Sequence, residues 1–69
     1  MLYLDYHNLP EGYQLFYFPG GEPHAKIPAI NDYEIFVRAE ITSWEDFGLL
    51  CVLLNAIKSQ EKYVYLFIP

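Results

Sequence analysis

The sequence predicts a small α/β domain, a short sheet built around a strand-helix-strand crossover. Three observations lead there. Short aromatic and β-branched runs alternate with period two, one capped segment has helical spacing, and an apolar run near the carboxyl end does not alternate. Glycine and proline fall between these runs as punctuation, without an internal repeat or low-complexity tract.

The first run, Met1 to Tyr6, sets Leu2, Leu4 and Tyr6 against Tyr3 and Asp5, as a half-buried strand requires. After the turn residues His7 to Gly12, Tyr13 to Phe18 alternates again, with Tyr13, Leu15 and Tyr17 on one side and Gln14, Phe16 and Phe18 on the other. Pro19-Gly20-Gly21 must reverse the chain, since proline lacks a ladder donor and glycine admits positive φ. Glu22 to Ile27 then leaves as a strand, with Pro23 at its start or on an edge. Pro28 to Asp32 reads as a loop, and Tyr33 to Arg38 as the next strand, which Ile41 could extend.

Thr42-Ser43-Trp44-Glu45 has the form of a capping box and starts a helix from Trp44 to about Ser59. Two apolar stripes share this helix: Phe47, Leu50, Cys51, Leu54 and Ile57, and Leu49, Val52, Leu53 and Ala56. It therefore reads as covered on two sides. The polar stop Lys58 to Lys62 places lysines near the negative end of the helix dipole. Tyr63 to Ile68 follows, apolar on both faces as in a parallel strand covered twice. Such cover exceeds what 69 residues supply, so the pattern predicts association with another protomer, a further part of the chain or a partner. The surplus surface is expected at Leu49, Val52 and Leu53, with Trp44 at its margin; Trp44 fits an interface anchor or a core residue equally.

Composition excludes several classes. A chain of this length holds one domain, and with 54% apolar and 19% aromatic residues it is too hydrophobic for a disordered segment. Its formal charge of -5 gives no footprint for nucleic acid. The single cysteine, Cys51, lies in an apolar run, reads as a buried structural thiol and fits a reducing cytoplasm. The apolar stretch Gly48 to Ala56 is too short for a bilayer, and no basic segment leads an apolar one at the N-terminus, so a soluble, untargeted chain is expected. His7 and His24 with one cysteine offer no metal-ligand spacing. Acidic Glu45 and Asp46 are explained by the helix start.

The most distinctive segment is Phe18-Pro19-Gly20-Gly21-Glu22-Pro23-His24. It reads as a β-turn, or as a loop whose ring stacks on a flat ligand while Glu22 accepts a hydrogen bond from an amine. It lacks the lysine and hydroxyl of a phosphate loop.

Phe18 to Glu22, then Trp44-Glu45-Asp46-Phe47-Gly48-Leu49-Leu50 continuing to Asn55-Ala56-Ile57, then Leu66-Phe67-Ile68-Pro69 follow one another in an order that resembles the N-terminal part of the ribose-phosphate pyrophosphokinases, or phosphoribosyl pyrophosphate synthetases. There an F-S-D-G-E segment precedes a strand, a helix of the type N-D-x-L-M-E-L-L-x-x-x-D-A-L and a strand ending in V-I-P. The resemblance spans the chain from Tyr13 onward and implies the opening portion of a phosphoribosyltransferase-like domain. The family transfers a pyrophosphoryl group from magnesium ATP to ribose 5-phosphate, and its F-S-D-G-E loop reaches the adenine of ATP in a neighbouring subunit's site.

The resemblance therefore implies adenine contacts at Phe18, Gly20 and Glu22, although Gly20 stands where the family has aspartate or asparagine. The family's basic Y-A-R-Q-D-R segment, magnesium-associated histidine, flexible basic loop and acidic glycine-threonine loop have no counterpart in these residues. The resemblance thus implies no catalytic residue, metal ligand or cofactor for the isolated chain, whereas the complete family enzyme uses Mg-ATP. The expected function is an inactive fragment or shortened relative of such a synthetase. The alternative is an interaction protein that docks on itself or on a full-length synthetase, and a third reading is a small adenine-nucleotide module. Expected partners are a second copy or a synthetase-like chain, with weak adenine nucleotide binding at most and neither nucleic acid nor membrane.

Overall fold

The computed structural model describes all 69 residues. It is a small α/β domain with strands β1 (Leu2–Asp5), β2 (Gln14–Tyr17), β3 (Pro23–Lys26), β4 (Glu34–Arg38) and β5 (Tyr63–Phe67), and one helix, α1 (Trp44–Lys58). Strands β1, β4 and β5 form a parallel sheet in the order β1-β4-β5, while β2 and β3 form a separate antiparallel hairpin. The helix is not long and apolar enough to cross a membrane.

Alternation decides which face of the sheet is buried. Parallel partners share a face, so Leu2, Ile35 and Val64 lie in one row and Leu4, Val37 and Leu66 in the next. Leu4, Ile35 and Val37 are buried against Leu50, Leu53 and Ile57 of α1. Leu15, Tyr13 and Ile27, from the hairpin and its flanks, pack on the same cluster. Both connections therefore cover one face of the sheet. The other carries Tyr3, Phe36 and Tyr65 in one row, with Tyr3 and Tyr65 exposed and Phe36 half-buried between them.

That asymmetry leaves β5 uncovered within this chain. Its lack of alternation predicts cover from outside these 69 residues, and here it is an edge strand whose Tyr63, Tyr65, Leu66 and Phe67 are exposed. The helix does receive two-sided cover, but from its own chain. Its second flank meets the hairpin, where the Tyr17 hydroxyl donates to the Glu45 carbonyl at 2.6 Å. Gly48 makes that approach possible, because a β-carbon there would stand 2.6 Å from the Tyr17 hydroxyl oxygen.

The phase of the helix corrects further expectations. Leu53 is fully buried in the chain's own core, which removes it from the expected interface surface; Leu49 and Val52 are half-buried. Cys51 is exposed rather than a buried thiol. Trp44 is 85% exposed, so it is not a core residue. Trp44, Phe47, Cys51, Asn55 and Lys58 fall at helical spacing along the exposed face.

The helix cap is shifted one residue from the predicted box. Ser43, in extended conformation, is the N-cap and its hydroxyl accepts from the Asp46 amide at 3.1 Å. Asp46, not Glu45, reaches back: its carboxylate accepts from the Thr42 amide at 3.2 Å and the Thr42 hydroxyl at 2.9 Å. The Tyr6 hydroxyl donates to its other oxygen at 3.0 Å, tying the helix start to the end of β1.

At the other end Gln60 holds the loop before β4. Its side-chain oxygen accepts from the buried Ile30 amide at 2.8 Å, and its side-chain nitrogen donates to the Pro28 carbonyl at 3.0 Å. Glu61 follows with φ 60, the left-handed conformation that glycine adopts without steric cost. Replacing Glu61 with glycine should therefore stabilise the fold by about 0.5–1 kcal/mol. Urea unfolding checks this; an unchanged or lower midpoint would mean that the Glu61 side chain offsets its backbone strain.

Candidate functional site

The hairpin builds the first candidate site. Gly21 donates its amide to the Phe18 carbonyl at 2.8 Å, and Phe18 donates to the Glu22 carbonyl at 2.9 Å. Pro19 and Gly20 are the central residues of this turn, and Gly21 with φ 86 supplies the left-handed residue that returns the chain to the ladder. Only one glycine of the pair uses positive φ. Gly20 does not, and a β-carbon built on it would meet nothing within 4 Å.

Cross-strand pairing sets the chemistry of the outer hairpin face. Leu15 with Ala25 and Tyr17 with Pro23 form the rows on one face. Phe16 pairs with His24 on the opposite face, where Phe18 joins them. The centroids of Phe16 and Phe18, of Phe16 and His24, and of Phe18 and His24 are each 5.3 Å apart. Lys26 continues this face opposite Gln14, and Glu22 stands exposed at the tip.

The result is a platform of three rings with a carboxylate beside its outer end. Such a surface can stack on a flat heteroaromatic ring and accept a hydrogen bond from an exocyclic amine. The turn itself is held by backbone bonds, so the Phe18 and Glu22 side chains are not consumed in holding it. Sequence reasoning singled out Phe18, Gly20 and Glu22, which the turn does bring together; it did not count Phe16 as part of the cluster. The signal was available, because a reversal at Pro19 to Gly21 sets Phe16 across from His24.

A concavity lies elsewhere, at the start of α1, an open groove of about 330 Å³ lined by Ile41, Thr42, Ser43, Trp44 and Phe47. Trp44 and Phe47 meet edge to face with centroids 6.0 Å apart. Of the residues expected at an interface, only Trp44 lines this groove; Leu49, Val52 and Leu53 do not. No three His, Cys, Asp or Glu side chains converge into a cluster that could hold a metal ion.

Comparison of the chain with protein-family models, with curated proteins and with solved structures found no match in any of the three.

Proposed function

We propose that the chain is an opening portion or shortened relative of a ribose-phosphate pyrophosphokinase that supplies an adenine-contacting hairpin to an assembly and performs no pyrophosphoryl transfer alone. The observation that carries this reading is the ring platform of half-buried Phe16 with exposed Phe18 and His24, and Glu22 at its tip. Phe18 stacks on the base and Glu22 accepts from its amine. The triphosphate end has no comparable support. Lys26, Arg38, Lys58 and Lys62 lie at the ends of three different elements and in the turn before β5, and do not form the cationic clamp that phosphoryl transfer needs. No step of the transfer is therefore assigned to these residues.

Magnitudes limit the affinity. One stacked ring and one carboxylate hydrogen bond contribute about 2 to 4 kcal/mol together, while millimolar binding requires about 4.1 kcal/mol. ATP titration followed by amide NMR should show millimolar or weaker binding with shifts at Phe18, Gly20, Gly21 and Glu22. Phe18→Ala should abolish them. Gly20→Asp, which the open space at that position admits without strain, should tighten binding about fivefold by restoring a side-chain acceptor. Shifts confined to other residues, or binding indifferent to Phe18→Ala, would overturn the reading, as would turnover of ATP and ribose 5-phosphate that copurifies with this polypeptide.

A second reading, an interaction protein that docks on itself or on a complete synthetase, is favoured by the bare sheet face. Parallel sheets are ordinarily covered on both sides. Here Tyr3, Phe36 and Tyr65 form an uncovered row.

A further inference from the structure

We infer that β5 is the seam of a symmetric dimer, pairing antiparallel with β5 of a second copy about a two-fold axis through Tyr65. This rests on the second reading above and names its surface, partner and geometry.

The hydrogen bonds of β5 fix which groups are free. The Tyr63 amide donates to the Tyr33 carbonyl at 3.0 Å, and the Phe67 carbonyl accepts from the Ala39 amide at 2.9 Å. Because strand backbones alternate, Tyr63, Tyr65 and Phe67 direct their amides and carbonyls toward β4. Val64 and Leu66 direct theirs outward, symmetrically about Tyr65. Antiparallel pairing through these residues sets Val64 opposite Leu66 of the second copy twice over, giving four reciprocal backbone bonds. Tyr65 then meets its own counterpart in the close, non-hydrogen-bonded position, and Tyr63 meets Phe67. Aromatic and β-branched cross-strand pairs of this kind stabilise antiparallel ladders.

The side chains favour a second copy over solvent. No charged residue or proline lies within Tyr63–Phe67, so this edge lacks the usual protection against strand addition. The opposite edge differs: β1 is four residues long and carries Asp5, whose carboxylate accepts from the His7 amide at 3.0 Å. Tyr63, Tyr65, Leu66, Phe67 and Ile68 are between 43% and 60% exposed. These apolar side chains flank the free backbone groups, so pairing with a second copy sets each beside an apolar neighbour where it now meets solvent. Pairing would also join the two bare sheet faces into one continuous aromatic surface across six strands.

The test uses the whole chain in a Cys51→Ser background. Light scattering should give a dimer at tens of micromolar. Tyr65→Cys should oxidise to a covalent dimer, because non-hydrogen-bonded partners bring their Cα atoms to about 4.5 Å, within disulfide range. Val52→Cys on the helix should not cross-link. Leu66→Pro removes one outward amide while sparing the bonds to β4, and should weaken the dimer at least about tenfold with unchanged circular dichroism. If that variant unfolds, the cross-linking comparison still decides. A folded monomer at these concentrations, or cross-linking at Val52 rather than Tyr65, would overturn the proposal. A chain that is monomeric alone but binds a purified synthetase would defeat the dimer and leave the interaction reading standing.

Discussion

Leu53→Lys should abolish folding. The side chain is fully buried among Leu50, Ile57, Ile35 and Val37, with no carboxylate in that cluster to pair with an ammonium group. An unpaired charge at such a site costs several kcal/mol, and even Leu53→Ala is expected to cost about 2–5 kcal/mol. A domain of this size has about 5 kcal/mol or somewhat more to lose. Circular dichroism of the lysine variant should show no cooperative melt at any protein concentration. A variant that stays folded but becomes monomeric would place Leu53 at an interface and contradict the packing described above. Trp44→Lys is the contrasting substitution: at so exposed a position the fold should survive.

Stability should fall as the pH rises above 10, through Tyr6. Burial first, then the hydrogen bond to Asp46 and the negative charge of that carboxylate, push the Tyr6 hydroxyl up to about 12. In the unfolded chain it ionises near its ordinary value of 10.0. Between these values the unfolded state releases a proton that the native state retains, so alkali draws the equilibrium toward unfolding. The contribution is complete below pH 10 and is lost as the pH rises to about 12. Tyr13, Tyr17 and Tyr65 are raised as well and share in the effect.

At the acid end the sign reverses. The Asp46 carboxyl is held below its ordinary 3.8, chiefly by the Thr42 hydroxyl, then by the Thr42 amide and the Tyr6 hydroxyl. Its contribution is complete above pH 3.8 and is lost as the pH falls through the lowered native value. Urea unfolding across pH should therefore give a plateau with losses at both ends. Tyr6→Phe should flatten the alkaline limb; an unchanged limb in that variant would remove Tyr6 from the account.

Local patterns in the sequence marked every strand and the helix, because each is announced by its own residues. Tyr13 to Phe18 alternates, Pro19 to Gly21 breaks the run, and Ser43 caps a helix whose ends carry charge. The arrangement of these pieces was less legible. Between Phe47 and Ile57 almost every helical residue is apolar, so periodicity could not say that Leu53 faces inward and Cys51 outward. That phase is set by distant contacts, in particular Tyr17 lying over Gly48, which no local pattern records. Likewise, an unalternating strand reads as covered twice. At Tyr63 to Phe67 it is an edge within this chain, and which strand of the sheet lies at the edge is set by the order β1-β4-β5, not by local pattern. At the hairpin, turn chemistry and alternation together were enough to assemble the tip, whereas the groove at Trp44 depends on where the chain between β4 and α1 runs.

The connectivity also bears on the order in which the molecule can assemble. Neither ladder of the parallel sheet joins neighbours in sequence: Leu2 must find Ile35, and Ile35 must find Val64, each closing a loop of about thirty residues before any bond rewards it. The hairpin and the helix have no such delay, since their partners lie within a turn or a few residues along the chain. They also occupy the same side of the sheet. An early encounter between them, with Tyr17 seated over Gly48, would present Leu15, Leu50, Leu53 and Ile57 as one apolar floor. The strands can then be laid on that floor around β4, because β1 and β5 have no ladder partner until it is in place and its register must satisfy both.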